Sequence, residues 1–499
     1  MKIRFTAWFF WLIISTVVIL SRFWNLTNKP LHFDESINGW FALQVEQTGF
    51  YKYDPYNFHG PMYFYMLQFF DFFGGRNIFT LRALPSCFSA LSVLIFAFSF
   101  LRSQIVNRAM LFFILLSPAF LFFGRSGIHE MPFVFFQLVF AVGILRWGEK
   151  QDNLSVNLLL VGLFGMMMLK ETFVLTLSSF AVGFLFLGRK EIARQFSVST
   201  FKNSWQPRSS ILLVALLIFF VTFFSGFMRN PSGLTDFVRA FLPWMKTGVG
   251  ESGHNKEFLY WLKVISEAEP LVFLGVIMAF VGLFMRDSAL RLMSAFSLAQ
   301  LLIYSLIPYK TVWCVLSLVW GFYFVLAMFL EKFWQRWTRL RWVYLVGIFL
   351  LLPLQLRSDY LSVYREPIAM THPYVYVNST YEFKNFYTLL NKIFAEQPAL
   401  ILETKQIGTK EQWPWPWFLY GQPQVHYDLC GRTQHPHALF YICDAEDKSI
   451  IESHLDEPYM KIVMPVRQAK AASLLYLRKN VFDGIYHGDY QVLTPAGDK

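Results

Sequence analysis

The sequence predicts a polytopic α-helical membrane protein with a small α/β domain at its C-terminal end. Three observations carry this. Only 15% of the 499 residues are charged while 55% are hydrophobic, against roughly a quarter charged in soluble domains. Phe occurs 57 times, more than one or two globular cores enclose, and the mean hydropathy is +0.40. The apolar residues gather into long stretches up to about residue 356, after which the pattern changes to short alternating runs. Together these exclude a disordered chain, a coiled coil, a disulfide scaffold and an ordinary cytosolic enzyme. The four cysteines show no CxxC or zinc-type spacing.

A helix needs about 20 apolar residues to cross a bilayer core of roughly 30 Å. Eleven stretches come close: 5–21, 79–101, 108–124, 131–148, 154–170, 172–188, 211–228, 268–285, 292–308, 314–330 and 342–356. Their loops alternate in charge. With the N-terminus in the cytoplasm, the cytoplasmic side holds Lys2 and Arg4, Arg102 and Arg108, and Arg146 and Lys150. It also holds Arg189, Lys190, Arg194, Lys202 and Arg208, then Arg286 and Arg291, then Lys332, Arg336, Arg339 and Arg341. The net charge of +11 therefore reads as a topology signal rather than as contact with nucleic acid. The first stretch follows a basic start but lacks a small-x-small cleavage site and runs into Arg22, Phe23 and Trp24. It predicts a retained signal anchor in the cytoplasmic membrane.

With an odd number of spans, four segments that face outside are large enough to build something: 22–78, 124–130, 229–267 and a tail, 357–499. The expected division is a membrane module, 1–356, and an extracytoplasmic domain, 357–499. In the tail, apolar runs Ala399–Glu403, Val425–Leu429, Leu439–Cys443 and Met460–Pro465 alternate with helical patterns near 381–394, 446–455 and 469–478. That alternation predicts an α/β domain. Cys430 and Cys443 both fall there, either as a disulfide or as two unpaired buried thiols. No internal repeat of fixed period is present.

The first outer segment holds the chemistry. Pro30-Leu31-His32-Phe33-Asp34-Glu35 places two adjacent carboxylates near the membrane surface, where a charge is costly unless solvated or used. One reading has Asp34 cap the helix that begins at Glu35; the other makes it a general base for an acceptor hydroxyl. Residues 35–48 form a helix too short to span, ending at Gly49. Then Phe58-His59-Gly60-Pro61-Met62-Tyr63-Phe64 opens a second, aromatic interfacial helix. Carboxylates held between two surface-lying helices suit a substrate with a polar head and a lipid tail.

In this order of elements the chain resembles the polytopic glycosyltransferases of the GT-C fold, in the protein O-mannosyltransferase superfamily (glycosyltransferase family 39 and relatives). The shared features are the Asp34-Glu35 pair, the aromatic helix Pro61–Phe70 and the Arg82-Ala83-Leu84-Pro85 entry into the second span. They continue with Glu130 in Arg125-Ser126-Gly127-Ile128-His129-Glu130 and with Lys170 of Lys170-Glu171-Thr172. His32-Phe33-Asp34-Glu35, His59-Gly60-Pro61, Lys170-Glu171-Thr172, Ser305–Thr311 and Trp413-Pro414-Trp415-Pro416-Trp417 resemble prokaryotic members associated with flippase activity in archaeal glycosylation. One departure stands out. The lipid A aminoarabinose transferases of this superfamily carry Glu-Lys-Pro where this chain has His59-Gly60-Pro61, so the basic residue is missing.

The resemblance implies transfer of a sugar from a polyprenyl-phosphate donor to a hydroxyl of a glycan, lipid or protein, on the extracytoplasmic face of the membrane and with inversion. It casts Asp34 as the base, with Glu35 and Glu130 positioning substrate or a metal. Lys170 is the first candidate for the lipid phosphate because an intramembrane Lys is expensive without a role; Arg125, Lys310 and Arg82 follow. Each has a plainer reading. Lys170 and Glu171 can pair with each other, Arg125 can snorkel to the headgroups, and Lys310 can anchor beside Tyr309. His59, Tyr63 and Trp415 are candidates for contacting sugar or acceptor, although the Trp-Pro-Trp-Pro-Trp run also suits a rigid aromatic turn packed on the tail. His32, His59 and His129, beside Asp34 and Glu130, suit either a divalent cation or plain interfacial solvation. The rivals to a transferase are a lipid-linked oligosaccharide flippase, which needs a polar pathway through spans that hold few ionisable residues away from their ends, and a flippase-associated, non-catalytic partner that keeps the fold while the tail recognises glycan.

Overall fold

Each of the eleven apolar stretches falls on a helix of the computed structural model, which describes residues 2–57, 59–98, 100–188, 191–193, 197–250, 254–468 and 470–494, with side chains from residue 9 onward. Among the described residues six helices are long and apolar enough to cross a membrane: Ile78–Phe98, Glu130–Lys150, Pro207–Phe224, Ser288–Leu306, Val312–Gln335 and Arg341–Arg365. The bent pair Gln104–Leu115 and Pro118–Arg125 makes a seventh if it is one span. Phe9–Phe23, Asn153–Met167, Phe173–Leu185 and Pro270–Gly282 are apolar but shorter. The 57° bend has a local cause. Pro118 has no N–H to continue the ladder, and Ser117 caps the new helix by accepting from the Phe120 N–H. Of the charged loops, Arg189, Lys190 and Arg194 lie outside the described residues, as do Phe58 of the aromatic segment and Ala469.

The chain divides into two compact units. The first comprises Met1–Thr27 and Ala42–Val375, the second Asn28–Phe41 and Tyr376–Lys499. In the first unit we label α1 (Lys2–Phe23), α3 (Met62–Gly74), α4 (Ile78–Leu94), α5 (Gln104–Leu115), α6 (Pro118–Phe122), α7 (Glu130–Lys150), α8 (Asn153–Met167) and α9 (Phe173–Leu185). Helix α2 (Phe33–Thr48) begins in the second unit and ends in the first.

The second unit is built on a mixed six-stranded sheet: β1 (Lys405–Gly408), β2 (Val425–His426), β3 (Phe440–Cys443), β4 (Tyr459–Met464), β5 (Ser473–Arg478) and β6 (Gln491–Leu493). The order is β2-β1-β3-β5-β4-β6. Strand β1 pairs parallel with β2 and β3, and the remaining pairs are antiparallel. Helix Tyr381–Glu396 buries Phe383, Phe386, Leu390 and Ile393. Two expected elements differ. The run Ala399–Glu403 is mostly a 3-10 turn, with the strand starting only at Lys405. The pattern at 469–478, read as a helix, is strand β5, which lies between β3 and β4. A central strand buried on both faces shows a continuous apolar run, which periodicity does not separate from a short buried helix. Cys430 and Cys443 form a disulfide.

Candidate functional site

In the second unit, the start of α2 separates the two adjacent carboxylates. The Asp34 N–H donates to His32 Nδ1 at 3.1 Å, and the His32 N–H donates to Glu35 Oε2 at 2.7 Å. This is a reciprocal capping box in which an imidazole stands where Ser or Thr is usual. Burial lowers His32 to about 4, so at neutral pH the ring is uncharged and Nδ1 can accept. The expectation that Asp34 caps the helix is thus corrected: His32 caps it. Glu35, fully buried, closes the box, which leaves it poorly placed to position substrate or a metal. The Asp34 side chain remains 34% exposed.

Around this helix start the tail contributes residues that no local pattern announces. The Arg467 guanidinium lies 4.0 Å from the Phe33 ring centroid, is ion-paired with Glu411, and interacts electrostatically with Asp34. Trp413 meets Phe33 and Trp40 edge-on. Gly39 is a glycine because a Cβ there would lie 2.4 Å from Trp417 Nε1. Trp415 is fully buried among Phe383, Phe386 and Phe440. Of its two expected roles it therefore takes the aromatic turn, and the sugar platform is corrected, since a ring with no exposed face cannot stack on a sugar.

In the first unit, Lys170 follows α8 and Glu130 opens α7. Lys170 Nζ donates to Glu130 Oε2 at 2.6 Å, with Cys314 Sγ at 4.0 Å. Lys170 does not pair with Glu171 as one reading expected: Glu171 accepts from Tyr53 Oη at 2.6 Å. Glu130 is fully buried, and its carboxylate meets the positive end of α7. Nearby, the His129 ring packs on His59 with centroids 3.9 Å apart and planes tilted by 45°, and Tyr63 stands edge-on to His129 at 6.1 Å. Among the described residues, both ring nitrogens of His129 and Oε1 of Glu130 are buried without hydrogen-bond partners. Buried polar atoms are nearly always paired, so this concentration of unpaired ones marks a place for a polar ligand.

The segment before α3 is sewn to the end of α8. The Gly60 N–H donates to the Leu169 carbonyl at 3.0 Å and the Met62 N–H to the Met168 carbonyl at 3.2 Å. A Cβ on Gly60 would lie 2.1 Å from the Met168 carbonyl oxygen. Thus the His59-Gly60-Pro61 motif places His59 beside His129 through a backbone approach that only glycine permits.

The other expected phosphate-binding cations hold main-chain carbonyls. Arg125 Nη1 donates to the Ser21 and Arg22 carbonyls, and Nη2 to those of Trp24 and Asn25. It therefore terminates α1 rather than reaching toward the headgroups. Arg82 Nη1 donates to the Leu26 carbonyl. Lys310 Nζ donates to the Ile307 and Lys256 carbonyls. The physical reason is common to all three. Carbonyls at helix ends and in the loops beyond them have no ladder partner, and in a low-dielectric surround a cation satisfies them. Two further residues play similar parts: Arg22 donates to the Ile114 and Leu115 carbonyls at the end of α5. Glu269 accepts from Ser117 Oγ, Ala119 N–H, Tyr323 Oη and Tyr374 Oη around the start of α6. Only the Ser117-Pro118 break hinted at that node.

Among the described residues, groups of three or more potential metal ligands occur at His426, Asp428 and His435 and at His437, Asp456 and Glu457. The expected set of His32, His59 and His129 is not one of them. His32 serves as a helix cap in the second unit, and the carboxylate beside His129 already holds the Lys170 ammonium.

No family model matches the chain, and no curated protein matches it by sequence. Solved structures do. ArnT from Cupriavidus metallidurans in its apo state superposes with a TM-score of 0.65 at 8% identity, covering 94% of this chain and 98% of that one. The same protein bound to undecaprenyl phosphate gives 0.62 at 11% identity, with the same coverage. The likeness does not extend to the flippase-associated branch whose motifs the sequence resembles. It does establish the architecture: this chain is a polytopic membrane protein with the GT-C fold of ArnT.

Proposed function

We propose that the protein is a membrane glycosyltransferase that moves a sugar from a polyprenyl-phosphate donor to a hydroxyl of a glycan, lipid or protein. We place the reaction on the extracytoplasmic face of a prokaryotic cytoplasmic membrane. The carrying observation is the buried Glu130–Lys170 pair with polar atoms on Glu130 and His129 that have no hydrogen-bond partner among the described residues. Ionised groups at this depth are costly and mark functional sites. The fold shared with a protein crystallised with undecaprenyl phosphate supports a polyprenyl-phosphate partner. The Cys430–Cys443 disulfide supports an oxidising compartment for the tail.

In the proposed reaction, the acceptor oxygen attacks the anomeric carbon as the bond from that carbon to the phosphate oxygen breaks, inverting the centre. Asp34 takes the acceptor proton. The departing phosphate gains negative charge, which the Lys170 ammonium stabilises. Glu130 holds that ammonium in place, and His59 and Tyr63 lie beside His129 for contacts to the sugar or acceptor.

The test is transfer by purified protein in detergent, offering radiolabelled polyprenyl-phosphate sugars with a host membrane extract as acceptor. Label reaching the acceptor with wild type but not with folded Asp34→Asn supports the proposal and identifies the donor. A folded wild type that consumes no donor across a broad panel overturns it in favour of the flippase reading, under which Asp34→Asn transports lipid-linked glycan as wild type does.

A further inference from the structure

We propose that the tail carries a binding site for a divalent transition-metal ion, of the zinc class, formed by His426, Asp428 and His435. The site is independent of the proposed glycosyl transfer. One ligand atom from each residue lies within 4.8 Å of the other two. The two imidazoles are stacked, with centroids 3.8 Å apart and planes 17° from parallel, and His435 Nε2 is 3.2 Å from Asp428 Oδ2. Two imidazoles on one side of one carboxylate make a donor set that suits zinc and its neighbours; magnesium and calcium prefer oxygen alone. Three protein ligands leave room for water as a fourth.

The scaffold beneath the ligands is fixed in advance. His426 ends edge strand β2, and the chain then loops through Asp428 to His435. One side chain from the neighbouring strand β1 gathers that loop. Gln406 Nε2 donates to the Asp428 and Thr433 carbonyls at 3.1 and 2.7 Å, while its Oε1 accepts from the His435 N–H at 3.3 Å. Tyr441 Oη donates to the His435 carbonyl at 2.7 Å. The Cys430–Cys443 disulfide ties the middle of the loop to β3. Backbone anchoring on both sides of each ligand gives the preorganisation that a metal site requires. The half-buried imidazoles and exposed carboxylate leave the site open to solvent.

The second cluster, His437 with Asp456 and Glu457, differs in one decisive respect. Glu457 Oε1 already lies 2.9 Å from Arg478 Nε, so a guanidinium occupies its charge and repels a second cation. No such cation is paired with Asp428 among the described residues, where its partner is His435.

The experiment uses the full chain in detergent, stripped with EDTA and then titrated with Zn²⁺, bound metal being counted by elemental analysis, and in parallel with Co²⁺, read by its visible absorption. Wild type should take up one equivalent with the spectrum of a nitrogen- and oxygen-ligated ion. His426→Ala with His435→Ala should weaken binding by more than about 100-fold, beyond the loss caused by removing an outer-sphere partner. His437→Ala should bind as wild type. The Asp428→Asn variant changes one exposed side chain and so keeps the test valid if the double variant misfolds; it too should bind more weakly. Full retention of the equivalent in folded Asp428→Asn and in the double variant, or no uptake by folded wild type in excess Zn²⁺, overturns the proposal.

Discussion

The backbone N–H of His32 donates to Oε2 of Glu35, 2.7 Å away, while His32 Nδ1 accepts from the residue between them. Two neighbouring carboxylates thereby acquire different work. Glu35 is buried and engaged with the helix start, and Asp34 keeps a partly exposed carboxylate on the outside of the same turn. An acidic pair that reads in sequence as one catalytic unit is divided between a buried acid that closes the helix start and a partly exposed one that the proposed reaction uses as its base.

Glu35→Gln should retain transfer activity within a few-fold, because Gln offers the same acceptor to the His32 N–H. Glu35→Ala should lower stability by about 1 kcal/mol, the cost of a lost cap. Asp34→Asn should lose at least about 100-fold in rate, in line with removal of a general base, at unchanged melting temperature. Transfer rates and thermal melts of the three variants check this. A Gln variant as inactive as Asp34→Asn would return Glu35 to the reacting groups.

The same cap makes a pH prediction. Burial holds His32 at about 4 in the fold against 6.5 in the unfolded chain. Between those values the unfolded chain binds more protons, so stability rises with pH through this window. It is fully present above about 6.5 and is lost as pH falls toward 4. Asn also caps helices but does not titrate, so His32→Asn should flatten the part of the melting-temperature profile between pH 6.5 and 4 that His32 supplies, while leaving the value at pH 7.5 close to wild type. Melting curves across that range for both proteins measure the difference.

What sequence made legible follows from which interactions are local. All eleven apolar stretches fall on helices, because apolarity is a property of each stretch alone. Among the described residues, however, only six helices, or seven with the pair bent at Ser117-Pro118, are long and apolar enough to cross a membrane, so the expected count of eleven spans is not reached. Strand β5 was misread because its burial comes from β3 and β4, neighbours that its own residues do not announce. For the site, Glu130 and Lys170 could be suspected singly, since a charge near apolar helices needs a reason. Their pairing could not, because 40 residues separate them. Arg125 illustrates the opposite error: a cation at an outer helix end looks available to a phosphate until the four carbonyls it holds are seen. Arg467 is more than 430 positions from Asp34, beyond the reach of any local pattern.

The Glu130–Lys170 pair should show strong coupling. Removing one partner of a buried pair strands a charge and costs about 3–5 kcal/mol, whereas replacing both with apolar residues is often nearly neutral. Glu130→Leu and Lys170→Met should therefore each lower the melting temperature sharply, and the double variant should recover most of it. The double variant should nonetheless fail to transfer sugar and should bind undecaprenyl phosphate more weakly than wild type. Recovery of stability together with activity would show that the pair serves only the fold.

Arg125 should behave as a stability residue. Its planar fork reaches four carbonyls at the end of α1, a geometry that an ammonium cannot reproduce. Arg125→Lys keeps the charge but loses the planar fork, so a phosphate-binding role would raise the donor KM, whereas a capping role would lower stability instead. We expect a lower melting temperature with the KM of the folded fraction unchanged. A KM that rises at constant melting temperature would reinstate the phosphate contact.

Gly60 offers the sharpest test of how the His59 segment is held. With its N–H on the Leu169 carbonyl and its α-carbon against Met168, any side chain must push back the backbone that leads into Lys170. Backbone atoms do not yield as a flexible side-chain end would, and overpacking of this kind costs about 1–3 kcal/mol. Gly60→Ala should therefore lower the melting temperature and reduce transfer in the protein that does fold, since the displaced segment carries both His59 and the approach to Lys170. His59→Ala removes the ring but leaves the backbone seam intact, so it should spare stability. If Gly60→Ala melts as wild type, the close approach of α3 to the end of α8 is wrong, and with it the placement of His59 beside His129.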